Sequence, residues 1–199
     1  MITLGITGGI GSGKSIVSHV LQTLGIPVYD SDSRAKWLND HSPIIRKGLT
    51  DLIGSEVYDG ECLRRDRLAA AIFASHNLLR QVNAIIHPEV KNDFLRWRAS
   101  CPSDLSGLES AILHSSGFHT LCDSIIRVDA PEKIRIERAT ARDGASAEAI
   151  RKRIQSQRAE ETAPADYIIM NAPPHLIIPQ VIQIISSVRQ KAQKSCLRD

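Results

Sequence analysis

A chain of 199 residues, 42% hydrophobic and 24% charged, has the size and composition of one globular domain with room for a small inserted subdomain. Its 25 Lys and Arg against 22 Asp and Glu leave +3, too mild a charge to argue for a nucleic-acid partner. Cys62, Cys101, Cys122 and Cys196 lack C-x-x-C spacing, which speaks against a zinc framework or a disulfide scaffold. No apolar run is long enough to span a membrane and no signal peptide precedes the first strand, so a cytoplasmic location is expected.

The apolar run at residues 2–6 predicts a short buried strand. Gly8, Gly13, Lys14 and Ser15 then fit G-x-x-x-x-G-K-[ST], and Gly9, Ile10, Gly11 and Ser12 fill the loop between them. Glycines let backbone N–H groups turn inward around phosphate oxygens. Lys14 supplies a cation for the β- and γ-phosphates, and the Ser15 hydroxyl suits Mg²⁺. A helix from Lys14 to about Leu24, stopped by Gly25 and Pro27, points its positive end at the same anion. The motif predicts a bound nucleoside triphosphate and leaves its fate open.

Pro27 to Asp30 is a short second strand, and the D-S-D-S run at residues 30–33 offers caps for a helix through about Asn39. Helical spacing continues over 43–53, about 65–75 and about 77–86. Pro88 is expected to break the chain before a further helix over 88–100. Residues 31–100 thus form a helical insert without a convincing core strand, the kind of element that builds a second-substrate site. Leu108–Leu113 is a candidate third strand, 124–129 a fourth and 166–171 a fifth. Helices are expected from Pro131 to about 142–144, from Ser146 to about Gln157 and from Pro174 to about Ala192. Strands alternating with helices predict a parallel sheet covered on both faces, with ligands at its carboxyl ends.

Phosphoryl transfer needs a group that orients the attacking hydroxyl and takes its proton. Asp30 and Asp32 follow the second strand, and in extended chain an i, i+2 pair points the same way; the plainer alternative is a helix cap. Arg138 and Arg142 share a helix face before Asp143-Gly144, and on a mobile hairpin they would close over the triphosphate; a solvated basic face is the alternative. Arg64, Arg65 and Arg67 with His87 form a second basic group suited to an anionic acceptor, or else plain surface charge. Asp51 to Gly54 matches a GTPase D-x-x-G by chance, since it lies in a helical stretch. Ile125–Asp129 has the look of a Walker B strand.

The run from Thr7 to Ser15, joined to residues 24–32, resembles the dephospho-CoA kinase family. The resemblance continues in order through Leu63-Arg-Arg65 with Leu68 and Ile72-Phe73, Ile86-His-Pro88, Arg138 with Arg142-Asp143, and Ala165-Asp166 with Asn171. It implies a three-layer P-loop NTPase fold with a five-stranded parallel sheet. A nucleotide core (about 1–30, 105–137 and 163–199) would carry a helical acceptor subdomain (about 31–104) and a lid (about 138–162).

It also implies ATP-dependent phosphorylation of the ribose 3′-hydroxyl of dephospho-CoA with Mg²⁺, small-molecule partners only, and a monomer or weak homo-oligomer. By the same resemblance Asp32 is the catalytic carboxylate, with Lys14, Arg138 and Arg142 beside it. Gly8, Gly9, Gly11, Ser12, Gly13, Lys14, Ser15, Ile16 and Asn171 would bind ATP, Asp32, Arg65 and His87 the acceptor, and Ser15 the metal. This sequence departs from the family pattern at three places: Ile16 replaces a threonine, Ala111–Ser115 lacks the usual proline and glutamate, and Ala172 follows Asn171. A nucleotide kinase with another acceptor and a P-loop regulatory switch are the rival functions.

Overall fold

The computed structural model describes residues 1–73 and 75–196. In chain order the elements are β1 (Ile2–Thr7), α1 (Lys14–Thr23), β2 (Val28–Asp30), α2 (Ser31–His41), α3 (Pro43–Ile53), β3 (Tyr58–Asp59), β4 (Cys62–Leu63), α4 (Arg65–Phe73), α5 (His76–Ser100), β5 (Leu105–Glu109), β6 (Ser124–Asp129), α6 (Glu132–Asp143), α7 (Ala147–Ser156), α8 (Arg158–Glu161), β7 (Tyr167–Met170) and α9 (Ile177–Cys196). They fall into two compact units, Met1–Val28 with Pro102–Asp199, and Tyr29–Cys101.

The first unit is a three-layer α/β fold. Its sheet has the order β2-β5-β1-β6-β7. Strand β1 pairs in parallel with β5 (Leu4 opposite Gly107) and with β6 (Leu4 opposite Ser124), and β6 pairs in parallel with β7. A central parallel strand is covered on both faces, which explains why Thr3 to Thr7 are all buried rather than alternating. Leu4, Ile6, Leu105, Ile126, Val128 and Ile169 pack with Val17 and Leu21 of α1 and with Val181, Ile184, Ile185 and Val188 of α9. Each fully buried aliphatic side chain contributes about 1.5–3 kcal/mol, so this cluster fixes the strand ends from which the loops project.

The third strand lies earlier than its expected position, at Leu105–Glu109. Ser106 and Gly107 look like loop residues, yet they are small residues buried between β1 and β2; the Gly107 N–H donates to the Pro27 carbonyl at 2.8 Å. Leu113 is fully buried from a turn, so its apolarity reported burial and not strand structure.

The second unit packs α2, α3 and α4 around α5, with the β3–β4 hairpin turning at Gly60-Glu61. Its core holds Leu38, Ile45, Leu49, Val57, Val82, Val90 and Phe94. Tyr29, Phe94 and Trp97 form an aromatic trio with centroids 5.3–5.9 Å apart.

The expected helix break at His87-Pro88 does not occur: α5 runs unbroken from His76 to Ser100 with Pro88 inside it. An interior proline costs about 3 kcal/mol. Here Pro88 lies on the exposed side, where water can satisfy the carbonyl it leaves unbonded, while Val82, Val90 and Phe94 bury one continuous face across it. Asp51 lies within α3 and Gly54 caps that helix, as expected of a chance D-x-x-G. Among the described residues no helix is long and apolar enough to cross a membrane.

Candidate active site

The loop between β1 and α1 is glycine-rich and leads directly into the helix. Gly13 is the N-cap of α1 at φ +96°, a left-handed conformation that strains any residue with a Cβ. A Cβ there would also lie 2.0 Å from Asn171 Nδ2. No side chain caps this helix. Its first amides therefore point at the loop with the positive end of the helix dipole behind them, a ready anion site.

Lys14 Nζ donates to the Gly8 carbonyl at 2.8 Å, which keeps the cation against the loop. Ser12 is buried and its Oγ has no hydrogen-bond partner in the protein; Thr7 Oγ1 at the strand end is the same. Both are polar atoms that a phosphate oxygen can satisfy. Ser15 is exposed on the first turn of α1. Among the described residues no group of three or more His, Cys, Asp and Glu side chains could hold a metal. A single hard hydroxyl oxygen fits Mg²⁺, which is usually held by one or two protein oxygens together with substrate phosphates.

Asn171 is buried at the end of β7. Its Nδ2 donates to the Ser12 carbonyl at 2.7 Å and its backbone N–H to the Asp129 carbonyl at 2.7 Å, so it braces the phosphate loop. An apolar cavity of about 420 Å³ opens beside it, lined by Ile16, Val20, His175, Leu176 and Ile178 among others. Asp129, the Walker B-like residue, is paired with Arg127 at 3.1 Å.

Arg138 and Arg142 of α6 differ in their surroundings. Arg142 is bonded to its neighbour Asp143 at 2.7 and 3.2 Å, and Arg153 of α7 reaches the same carboxylate at 3.2 Å. Those hydrogen bonds, led by that from Arg142, hold the Asp143 carboxyl below the usual range. Arg138 carries a buried Nη1 without a hydrogen-bond partner.

The Ala111–Ser115 stretch is tied to α8 by a buried carboxylate. Glu160 of α8 is buried and accepts from the backbone N–H groups of His114 (3.1 Å) and Ser115 (2.6 Å). A carboxylate accepting two amides replaces its lost hydration with charge-assisted bonds.

In the second unit Asp30 and Asp32 part company. Asp30 Oδ1 accepts from the N–H groups of Asp32 and Ser33, both at 3.0 Å, so Asp30 is the N-cap of α2. Asp32 stands in the first helical turn, half-buried. The expected extended i, i+2 pair therefore does not form, because the chain enters the helix at Ser31.

Residues on both sides of this carboxylate are pinned to α5, which the sequence did not suggest. Tyr29 Oη donates to Asp93 Oδ2 at 2.6 Å, and the Arg34 guanidinium grips Asp93 with two bonds of 2.9 and 3.0 Å. Burial works against the Asp93 charge, but the Arg34 and Tyr29 hydrogen bonds outweigh it and hold its carboxyl below the usual range. Burial, and then Asp93, push the Tyr29 phenol well above its ordinary value.

Arg65 begins α4 and bonds Asp40 at 3.0 Å while staying largely exposed. His87 is half-buried on α5, and burial pushes its imidazole below its ordinary value. Burial thus works against its cationic form.

The CoaE dephospho-CoA kinase family model matches residues 2–174, a span that takes in the phosphate loop, Asp32, Arg65, His87, Arg138, Arg142 and Asn171. The chain belongs to the dephospho-CoA kinase family. A dephospho-CoA kinase of Porphyromonas gingivalis (strain ATCC BAA-308 / W83) is 68% identical over 194 residues, 96% of each chain. One from Bacteroides fragilis (strain YCH46) is 46% identical over 198 residues, 98% of this chain and 97% of its own.

Of the solved structures, TT1252 from Thermus thermophilus matches with a TM-score of 0.80 at 27% identity, covering 96% of this chain and 97% of that one. A dephospho-CoA kinase from Campylobacter jejuni shares the fold, with a TM-score of 0.67 at 20% identity over 96% of this chain and 98% of its own. Membership in the dephospho-CoA kinase family makes the chain a phosphotransferase.

Proposed function

We propose that the chain transfers the γ-phosphoryl group of ATP to the ribose 3′-hydroxyl of dephospho-CoA, giving CoA and ADP, the last step of coenzyme A biosynthesis. The observation that carries this reading is the family match from residue 2 to residue 174. It runs through the donor loop and the acceptor residues alike.

In the proposed mechanism the loop amides from Gly8 to Ser15 and Lys14 Nζ hold the β- and γ-phosphates. Ile16 and the apolar cavity beside Asn171 take the adenine, with Asn171 keeping the loop in shape. Ser15 is the protein oxygen for Mg²⁺, which when bound neutralises charge on the β- and γ-oxygens. Asp32 orients the 3′-hydroxyl and accepts its proton. Asp30 is spent on capping α2, which is the reason to prefer Asp32.

Arg138 and Arg142 stabilise charge on the transferring group and help exclude water. Arg138 is the better placed of the two, because Arg142 must first leave Asp143. Arg65 and His87 bind the acceptor, the first by charge. ATP as donor suits work in the cytoplasm, as a monomer or weak homo-oligomer with small-molecule partners.

A thermal-shift panel tests the acceptor. At 100 times Kd a ligand stabilises by about 2.7 kcal/mol, which for a chain of this size is a rise in Tm of about 5–10 °C. Dephospho-CoA is expected to give that rise. Stabilisation by nucleoside monophosphates but not by dephospho-CoA would overturn the assignment in favour of a nucleotide kinase.

A further inference from the structure

Two side chains that the mechanism leaves unused, Arg135 and Gln157, converge on Ile10 in the middle of the phosphate loop, and a third, Glu161, holds Arg135. Arg135 Nε donates to the Ile10 carbonyl at 2.9 Å, and the Ile10 N–H donates to Gln157 Oε1 at 3.3 Å. Arg135 continues as a fork onto Glu161, with Nη1 donating to Oε2 at 3.0 Å and Nη2 to Oε1. Arg135 is 8% exposed. The Ile10 side chain packs on Ala139, Ile150 and Ile154 of α6 and α7.

The two loop glycines beyond the minimal motif belong to the same arrangement. A Cβ on Gly9 would lie 2.1 Å from both Arg135 Nη2 and Glu161 Oε1, and one on Gly11 would lie 2.3 Å from the Arg135 carbonyl oxygen. Gly9 and Gly11 are there because Arg135 and Glu161 are packed against the loop.

We propose that Arg135 is a positioning residue for ATP, clamping the phosphate loop at Ile10 with Glu161 as its anchor and Gln157 as a second tether. Bonds on both the N–H and the carbonyl of Ile10 fix the two peptide planes that flank it. Those planes set the direction of the amides that follow toward the phosphates, so the cradle is organised before nucleotide arrives. Only a guanidinium can do this, because one planar group must serve a carbonyl and both oxygens of a carboxylate at once. Gln157 and Glu161 sit at the junction and end of α7 and α8, so displacing that segment would release the loop.

The inference rests on the loop being the ATP-phosphate site, and the test separates the two. ADP affinity by calorimetry, KM for ATP, KM for dephospho-CoA and Tm are measured on the full chain and on R135K, E161Q and R135M/E161M. R135K is expected to raise the ADP Kd and the KM for ATP by about tenfold or more, the scale of a lost charge-assisted hydrogen bond. The KM for dephospho-CoA should stay within about twofold, since nothing the clamp touches is assigned to the acceptor. E161Q should fall between R135K and the unmodified chain.

Replacing a buried ion pair by apolar side chains of similar volume is often neutral for stability. R135M/E161M is therefore expected to recover Tm yet still bind ADP weakly, because no donor reaches the Ile10 carbonyl. Recovery of ADP affinity along with Tm in the double variant would reduce the pair to a structural brace and overturn the proposal. So would an R135K whose ADP affinity is unchanged, or one whose two KM values move together. If the unmodified chain fails to bind ADP at all, it is the nucleotide reading that fails.

Discussion

Asp32→Asn is expected to lower kcat by about 10²-fold or more while leaving ADP affinity within about twofold, the scale of losing a general base. The amide keeps the shape of the carboxylate and the fold of the first turn of α2, where Asp30 supplies the capping oxygens to Asp32 and Ser33. What it removes is the ability to take a proton from the attacking hydroxyl. Asp30→Asn is the informative partner, because an asparagine caps a helix nearly as well as an aspartate. It should leave kcat close to the unmodified value. A reversal of the two effects, measured as kcat at saturating substrates, would move the base assignment to Asp30.

The second large effect is that of Lys14→Ala, which should raise the KM for ATP and lower kcat together, with kcat/KM falling by about 10²–10³-fold. That is the loss typical of a single preorganised group facing developing charge in a water-poor site. The alanine also deletes the Nζ bond to the Gly8 carbonyl, so part of the loss is loop order. Lys14→Arg separates these parts. It keeps the charge but widens the head group, and the compact ammonium is the better fit to a point between phosphate oxygens. Steady-state kinetics with ATP varied at saturating acceptor reads both; a Lys14→Ala chain with unchanged kcat/KM for ATP would contradict the role.

The phosphate loop was legible because its chemistry demands contiguous residues of fixed type, and Gly8 to Ser15 stand together in the chain. The sheet was legible wherever a strand was an unbroken apolar run, as at residues 2–6 and 124–129, and misplaced where small residues were buried, as at Ser106 and Gly107. Pro88 misled because local backbone preference was weighed without the buried face of Val82, Val90 and Phe94 that carries α5 through it.

The pairs that hold the site were out of reach for a different reason. Arg135 and Glu161 lie 26 residues apart, and Tyr29 and Asp93 lie 64 apart. Such partners are chosen by packing, and no spacing rule announces them. One trace was present: Gly9 and Gly11 exceed what the motif requires, and surplus glycine marks a place where other atoms press on the backbone. Asn171 shows the opposite case. It is expected beside ATP, and its amide donates to the Ser12 carbonyl, so any part it takes in nucleotide binding runs through the loop.

A transfer of phosphate from ATP to the 3′-hydroxyl of dephospho-CoA is proposed for this chain. It is tested most directly by following ADP release with and without dephospho-CoA, with the product identified by phosphorus NMR. Release is expected to be slow alone, with a large acceleration by dephospho-CoA and one new phosphomonoester on the ribose 3′-oxygen per ADP formed. ADP release at the same rate with and without dephospho-CoA, and with no new phosphomonoester, would contradict it.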